Sequence, residues 1–189
     1  ALIVIVAMVA SLFHLGKVLH IIGAGPNLAT SWMSREVVFA VIFMILAAVF
    51  AFLQWRKIGS EGLRMTIAWI GAIIGLVLIF SMSMTYMLPA QPAWNTPLTT
   101  ITFYTTALLL GVLGTATALM VNYAAQNKEV QEFVGKTLLR IAMTAFILLG
   151  VEFLILPFYM AYLSTQGFAA IRSLNMMFSE YGAVLFIRL

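Results

Sequence analysis

Ionisable side chains are scarce in this sequence. Those that fall in or beside its apolar stretches are His14, Arg35, Glu36, Glu152 and Arg188. An ionisable group inside a membrane span costs roughly 2.5–3.5 kcal/mol on insertion scales, so it normally faces protein or water and marks a functional site by default. His14 closes one apolar run and Glu36 begins the next. A connection between adjacent antiparallel helices would bring both to the same end. An imidazole that titrates near neutral pH, set beside a carboxyl, can accept and relay protons. The same spacing also fits a plainer arrangement, an acid favoured by the positive end of a helix dipole next to an interfacial histidine.

Glu152 stands five residues before Pro157 in a later apolar run. The proline frees a backbone carbonyl and can kink its helix, so an acid there either lines a cavity or is protonated and bonded to a neighbouring helix. Arg188 lies eight residues into a final apolar stretch that begins at Tyr181. It can pair with an acid or polarise a ligand oxygen, or it can snorkel toward the membrane surface.

The elements that must position these groups are read from hydropathy. Of the 189 residues, 63% are hydrophobic and 8% charged, and the mean hydropathy is +1.09. Soluble domains carry roughly 45–50% apolar and about 25% charged residues. A soluble fold of this size could not bury so much apolar surface. The composition therefore specifies an all-α, polytopic transmembrane helix bundle. Complete spans are expected at Trp32–Trp55, Leu63–Met87, about Thr102–Val121 and about Leu138–Leu163, each of about 20 residues or more, as a spanning helix requires. Partial spans at Ala1–Phe13 and Tyr181–Leu189 bring the crossings to six. The whole of 1–189 is expected to be one transmembrane domain cut at both ends, since thirteen residues of helix reach about 20 Å against a hydrocarbon core of about 30 Å.

Basic residues alternate between the loops. Arg56, Lys57 and Arg64 cluster around one connection, and Lys128, Lys136 and Arg140 around another, whereas the segment Leu88–Ile101 has neither Lys nor Arg. The positive-inside rule then puts 56–64 and 128–140 in the cytoplasm and the loops at 14–31, 88–101 and 164–180 outside. The formal charge of +4 belongs to this topology signal and is not a nucleic-acid footprint. Between His14 and Ile22, polar residues every third position suit a short interfacial helix. Pro89, Pro92, Pro97 and Trp94 suggest a stiff outer lid with an aromatic anchor.

Much cofactor chemistry is excluded within the chain. The sequence has no cysteine, hence no disulfide, thiolate metal site or Cys-ligated iron–sulfur cluster. Its two histidines, His14 and His20, are six residues apart in one loop and cannot serve as axial haem ligands from facing helices. No nucleotide-binding loop, zinc spacing or Ser–His–acid arrangement occurs. Redox work here would use an organic carrier and a partner protein.

Three collinear motifs carry a family resemblance. Ser11–Glu36 reads S-L-F-H-L-G-K, then G-P-N-L, then S-W-M-S-R-E-V. It resembles the DmsC family, the anchor subunits of anaerobic dimethyl sulfoxide reductases, which share an S-x-x-H-L-G turn followed by an S-x-E helix start. Tyr86, Pro92, Trp94 and Thr96-Pro97 are similar to the family's next outward loop, and Tyr181-Gly182-Ala183 with Arg188 to its Y-G-A-x-x-x-x-R segment. The resemblance implies eight transmembrane helices in the whole protein, location in a bacterial or archaeal cytoplasmic membrane, and haem-free oxidation of menaquinol. It also implies partners, an iron–sulfur electron-transfer subunit and a molybdopterin catalytic subunit. On this footing His14 and Gly16 match the quinol-site turn, Glu36 the adjacent acid and Arg188 the arginine, with Tyr86 and Trp94 in the neighbouring loop; no metal is expected in the chain. Glu152 has no counterpart, so two other readings stand beside this one. One is a secondary transporter or ion-translocating subunit that uses Glu152 as coupling acid; the other is a purely structural anchor.

Overall fold

The computed structural model describes residues 27–126, 132–179 and 182, and these residues form five helices. In chain order they are α1 (Trp32–Arg56), α2 (Glu61–Tyr86), α3 (Pro97–Ala125), α4 (Glu132–Thr165) and α5 (Phe168–Ser179). The first four are 25, 26, 29 and 34 residues long and apolar enough to cross a membrane. At about 1.5 Å per residue each exceeds the hydrocarbon core of about 30 Å. The polytopic helical bundle expected from composition is the observed fold. The expected partial spans and the segment 14–22 lie outside the described residues.

The limits of α1 and α2 agree with hydropathy to within two residues, whereas α3 and α4 run several residues further, and capping chemistry contributes to where the helices start and stop. Ser31 caps α1, its side chain accepting from the Ser34 N–H at 3.3 Å. Thr96 caps α3 through the Leu98 N–H, with Pro97 at the first helical position, where its missing N–H costs nothing. Ser60 starts α2 by accepting from the Leu63 N–H at 3.2 Å. At the end of α1, Lys57 adopts the left-handed conformation at φ 52°, and Leu53 O accepts from both the Lys57 and Ile58 N–H groups, closing the helix as such caps do. Gly59, at φ 80°, completes the turn into α2. An L side chain there would be strained and its Cβ would meet Leu63.

The chain divides into two compact units, Ala1–Tyr86 and Met87–Leu189. In the first, α1 and α2 pack antiparallel, with Phe43 opposite Gly75 and Glu36 opposite Thr85. The buried residues between them are small and polar: Ser34, Ser81 and Ser83. Lipid tails are as apolar as leucine, so helices in a bilayer associate by close backbone approach rather than by burying large side chains. The large apolar residues accordingly point outward; Trp55 and Trp69 are among the many exposed ones. Arg35 folds back over the start of α1. Its Nε and Nη2 donate to Leu28 O and Ala29 O, each at 2.7 Å, and its guanidinium lies 4.2 Å from the centre of the Trp32 ring. Trp32 in turn meets Phe80 edge-on at 5.7 Å. Arg35 is thus consumed in fixing the helix entry.

In the second unit α3 and α4 pack antiparallel, and the segment between Met87 and Pro97 is strapped to α4. Tyr162 Oη donates to Pro92 O at 2.7 Å and lies 3.1 Å from Asn95 O, and Tyr159 Oη donates to Ala93 O at 3.1 Å. Gln91 O accepts from the Trp94 and Asn95 N–H groups, so the loop is also internally bonded. These bonds hold the proline-bearing segment against α4. The segment 164–180, read from sequence as a loop, contains α5 instead. Ala170, Leu174 and Met177, spaced i, i+4 and i+7, are among its less exposed residues, while Arg172, Ser173 and Asn175 are exposed. Its twelve described residues span about 18 Å, and hydropathy scanning passes over so short a stretch.

Substituting Gly75→Leu should force Phe43 and α1 aside and lower unfolding stability in detergent by about 1–3 kcal/mol. Gly71→Leu, one turn away with nothing within 4 Å of its would-be Cβ, should stay within about 0.5 kcal/mol of wild type. Thermal unfolding of both variants checks this, and equal losses would contradict the close approach.

Candidate functional site

Most hydroxyls in the spans bond to their own helix. Thr66, Thr105, Thr115, Thr117 and Thr144 each donate to the carbonyl four residues earlier, which satisfies a hydroxyl locally where water is absent. Two threonines, Thr85 and Thr106, meet a carboxylate on the neighbouring helix.

The first is Thr85, in the last turn of α2. Its Oγ1 lies 3.0 Å from Ser81 O and 3.1 Å from Glu36 Oε2. A hydroxyl carries one proton and two acceptor lone pairs. With Glu36 ionised, Thr85 donates to the carboxylate. With Glu36 protonated, the acid can donate to Thr85 while Thr85 donates to Ser81 O. In either protonation state Glu36 Oε2 can therefore keep a hydrogen bond to Thr85 without movement of either helix. Glu36 occupies the second turn of α1, so this pair sits at the end of the α1–α2 hairpin opposite the Lys57–Ser60 turn.

The second is Thr106, whose Oγ1 donates to Glu152 Oε1 and makes no bond to its own helix among the described residues. Glu152 lies thirteen residues before the end of α4, roughly 20 Å along the axis, so it is deep in the span. It lines a cavity of about 490 Å³ together with Trp94, Phe103, Tyr159 and Met177. Glu152 thus lines a cavity and also accepts a hydrogen bond from the neighbouring helix.

The residues singled out from sequence are distributed as follows. Glu36 is joined to Thr85, and Tyr86 follows as the last residue of α2, half exposed. Trp94 belongs to the second unit, where it shares the cavity with Glu152. His14, Gly16 and Arg188 lie outside the described residues. Sequence reasoning missed Thr85, Thr106, Tyr159 and Tyr162. For the two threonines a usable signal existed, since a hydroxyl on a span next in sequence is the cheapest partner for a lone intramembrane acid. The tyrosines gave no local signal, because their acceptors are loop carbonyls 66 to 70 residues away.

The comparisons with known proteins agree with this architecture. The family described as DMSO reductase anchor subunit (DmsC) matches residues 1–155. The C subunit of the anaerobic dimethyl sulfoxide reductase of Haemophilus influenzae is 28% identical over 109 residues, which cover 57% of this protein and 38% of that one. The match thus spans well under two thirds of the relative's length. No solved structure matches. A match reaching from the first residue to within α4, on a chain with four helices able to span a membrane, makes this a multi-pass membrane protein of the DMSO reductase anchor subunit (DmsC) family.

Proposed function

We propose that the chain oxidises menaquinol without haem and passes the electrons to an iron–sulfur partner, anchoring a molybdopterin catalytic subunit in a bacterial or archaeal cytoplasmic membrane. The observation that carries this reading is the Glu36–Thr85 pair, a carboxyl at a helix end that can keep its bond to Thr85 whether or not it holds a proton. Quinol oxidation releases protons together with electrons, so the site needs groups that change protonation at little structural cost. Family membership supports the substrate class.

In this reading quinol enters from the bilayer at the outward ends of the helices. His14 accepts a hydroxyl proton as general base, and Glu36 receives protons and hands them toward the outer aqueous side. Arg188 stabilises negative charge developing on the quinol oxygen. Gly16, without a Cβ, lets backbone approach the ring, while Tyr86 and Trp94 supply aromatic surface near the headgroup level. With no cysteine and no haem-competent histidine pair in the sequence, electrons pass directly to a cluster in a partner docked on the outward face.

Titrating a fluorescent quinol analogue into membranes that hold the full-length protein and its partners tests the site. Saturable binding is expected, weakened about tenfold or more by His14→Ala and by Glu36→Gln, on the order of one or two charge-assisted hydrogen bonds. Binding unchanged by both substitutions would remove the assignment. The absence of cysteine permits a second test, of partner position. A cysteine at Gln91, in the strapped loop, should cross-link to the iron–sulfur subunit, and one at Ile58, in the basic turn, should not. The reverse pattern would overturn outward docking.

A further inference from the structure

The cavity at Glu152 shares only Trp94 with the residues proposed above. It is bounded by α3, α4 and α5, and its volume of about 490 Å³ falls in the range of about 300–1,000 Å³ typical of small-molecule sites. Its walls are aromatic and aliphatic, with Trp94 in the loop at one end and Phe103 and Tyr159 along the sides. Tyr159 and Thr99 spend their hydroxyl protons on Ala93 O and Trp94 O, so they offer the cavity mainly apolar surface. Glu152 Oε2 and the Thr102 hydroxyl have no hydrogen-bond partner among the described residues. An acyl chain in the cavity would bond to neither group, at a cost for each polar group held away from water in the bilayer. A flat ring that carries hydroxyl or carbonyl groups would stack on the aromatic walls and bond to both. The geometry points to a second binding site, at Trp94, Thr102, Phe103, Glu152 and Tyr159, for the ring of a quinone-class amphiphile. The ligand class rests on the quinol reading; the site itself does not involve His14, Glu36 or Arg188.

The test is photolabelling of native membranes containing the whole complex with an azido-naphthoquinone, followed by peptide mapping, with excess menadione as competitor. Label is expected on the segments bearing Trp94–Phe103 and Glu152–Tyr159, and menadione should displace it. Glu152→Leu should reduce it at least about fivefold, the order of one net hydrogen bond. Glu152→Gln, which keeps a donor and an acceptor, should stay within about twofold on the same grounds. Should Glu152→Leu fail to assemble, Thr102→Val and the wild-type competition still decide. Label absent from these segments, not displaced by menadione as for a groove filled by lipid chains, or indifferent to both Glu152→Leu and Thr102→Val would overturn the site. His14→Ala separates the two proposals. Label that persists in that variant while the fluorescent analogue no longer binds supports two sites, and label lost with His14 means that a single site was being read.

Discussion

Within the hydrocarbon core no water is available to satisfy a polar group, and this constraint shapes the whole chain. Backbone groups meet it by forming uninterrupted helices. Most span hydroxyls meet it by bonding to the carbonyl one turn back. A carboxyl has no such local option and must find a donor on a neighbouring helix. Glu36 and Glu152 therefore tie α1 to α2 and α3 to α4 at defined registers, through Thr85 and Thr106. These contacts do not add much packing area. They fix which faces of the helices meet.

The same constraint explains why small polar residues are prominent among the buried ones, beside Leu163, Val134 and Ala170, while the exterior is large and apolar. Ser81 and Ser83 are fully buried, yet Phe146 and Trp55 are more than three-quarters exposed. In a soluble protein this inversion would be ruinous, whereas in lipid the exposed side chains are in contact with matching solvent. Gly75 serves the same end by letting Phe43 approach. The segment between α2 and α3 is held differently, because it lacks regular structure, and the hydroxyls of Tyr159 and Tyr162 fasten its carbonyls to α4.

The spans were legible because a run of 20 or so apolar residues has few other fates. Their ends were less so, since Ser60, Thr96 and Lys57 extend or close helices by hydrogen bonding that hydropathy does not register. α5 was missed for a related reason: its three inward residues make a one-sided stripe in an otherwise mixed segment. The acids were visible as intramembrane charges, but not the threonines that hold them, and Arg35 stood out as a candidate although it is engaged with Leu28 O, Ala29 O and Trp32. Trp94 was legible as an aromatic anchor, but its place beside Glu152 depends on a fold of the loop that no local pattern encodes.

In the proposed reading, quinol oxidation needs a proton acceptor whose charge can change at little structural cost, and the Thr85 hydroxyl, set between Ser81 O and Glu36 Oε2, can bond to either form. The most direct measurement is the rate at which menaquinol reduces the partner's iron–sulfur clusters in the intact complex, followed by rapid mixing in wild type, Glu36→Gln and Thr85→Val. The account predicts cluster reduction slowed at least about tenfold in Glu36→Gln, in line with loss of a positioned acid–base group, and slowed to a lesser degree in Thr85→Val. Wild-type rates in both variants, with the partners still bound, would contradict it.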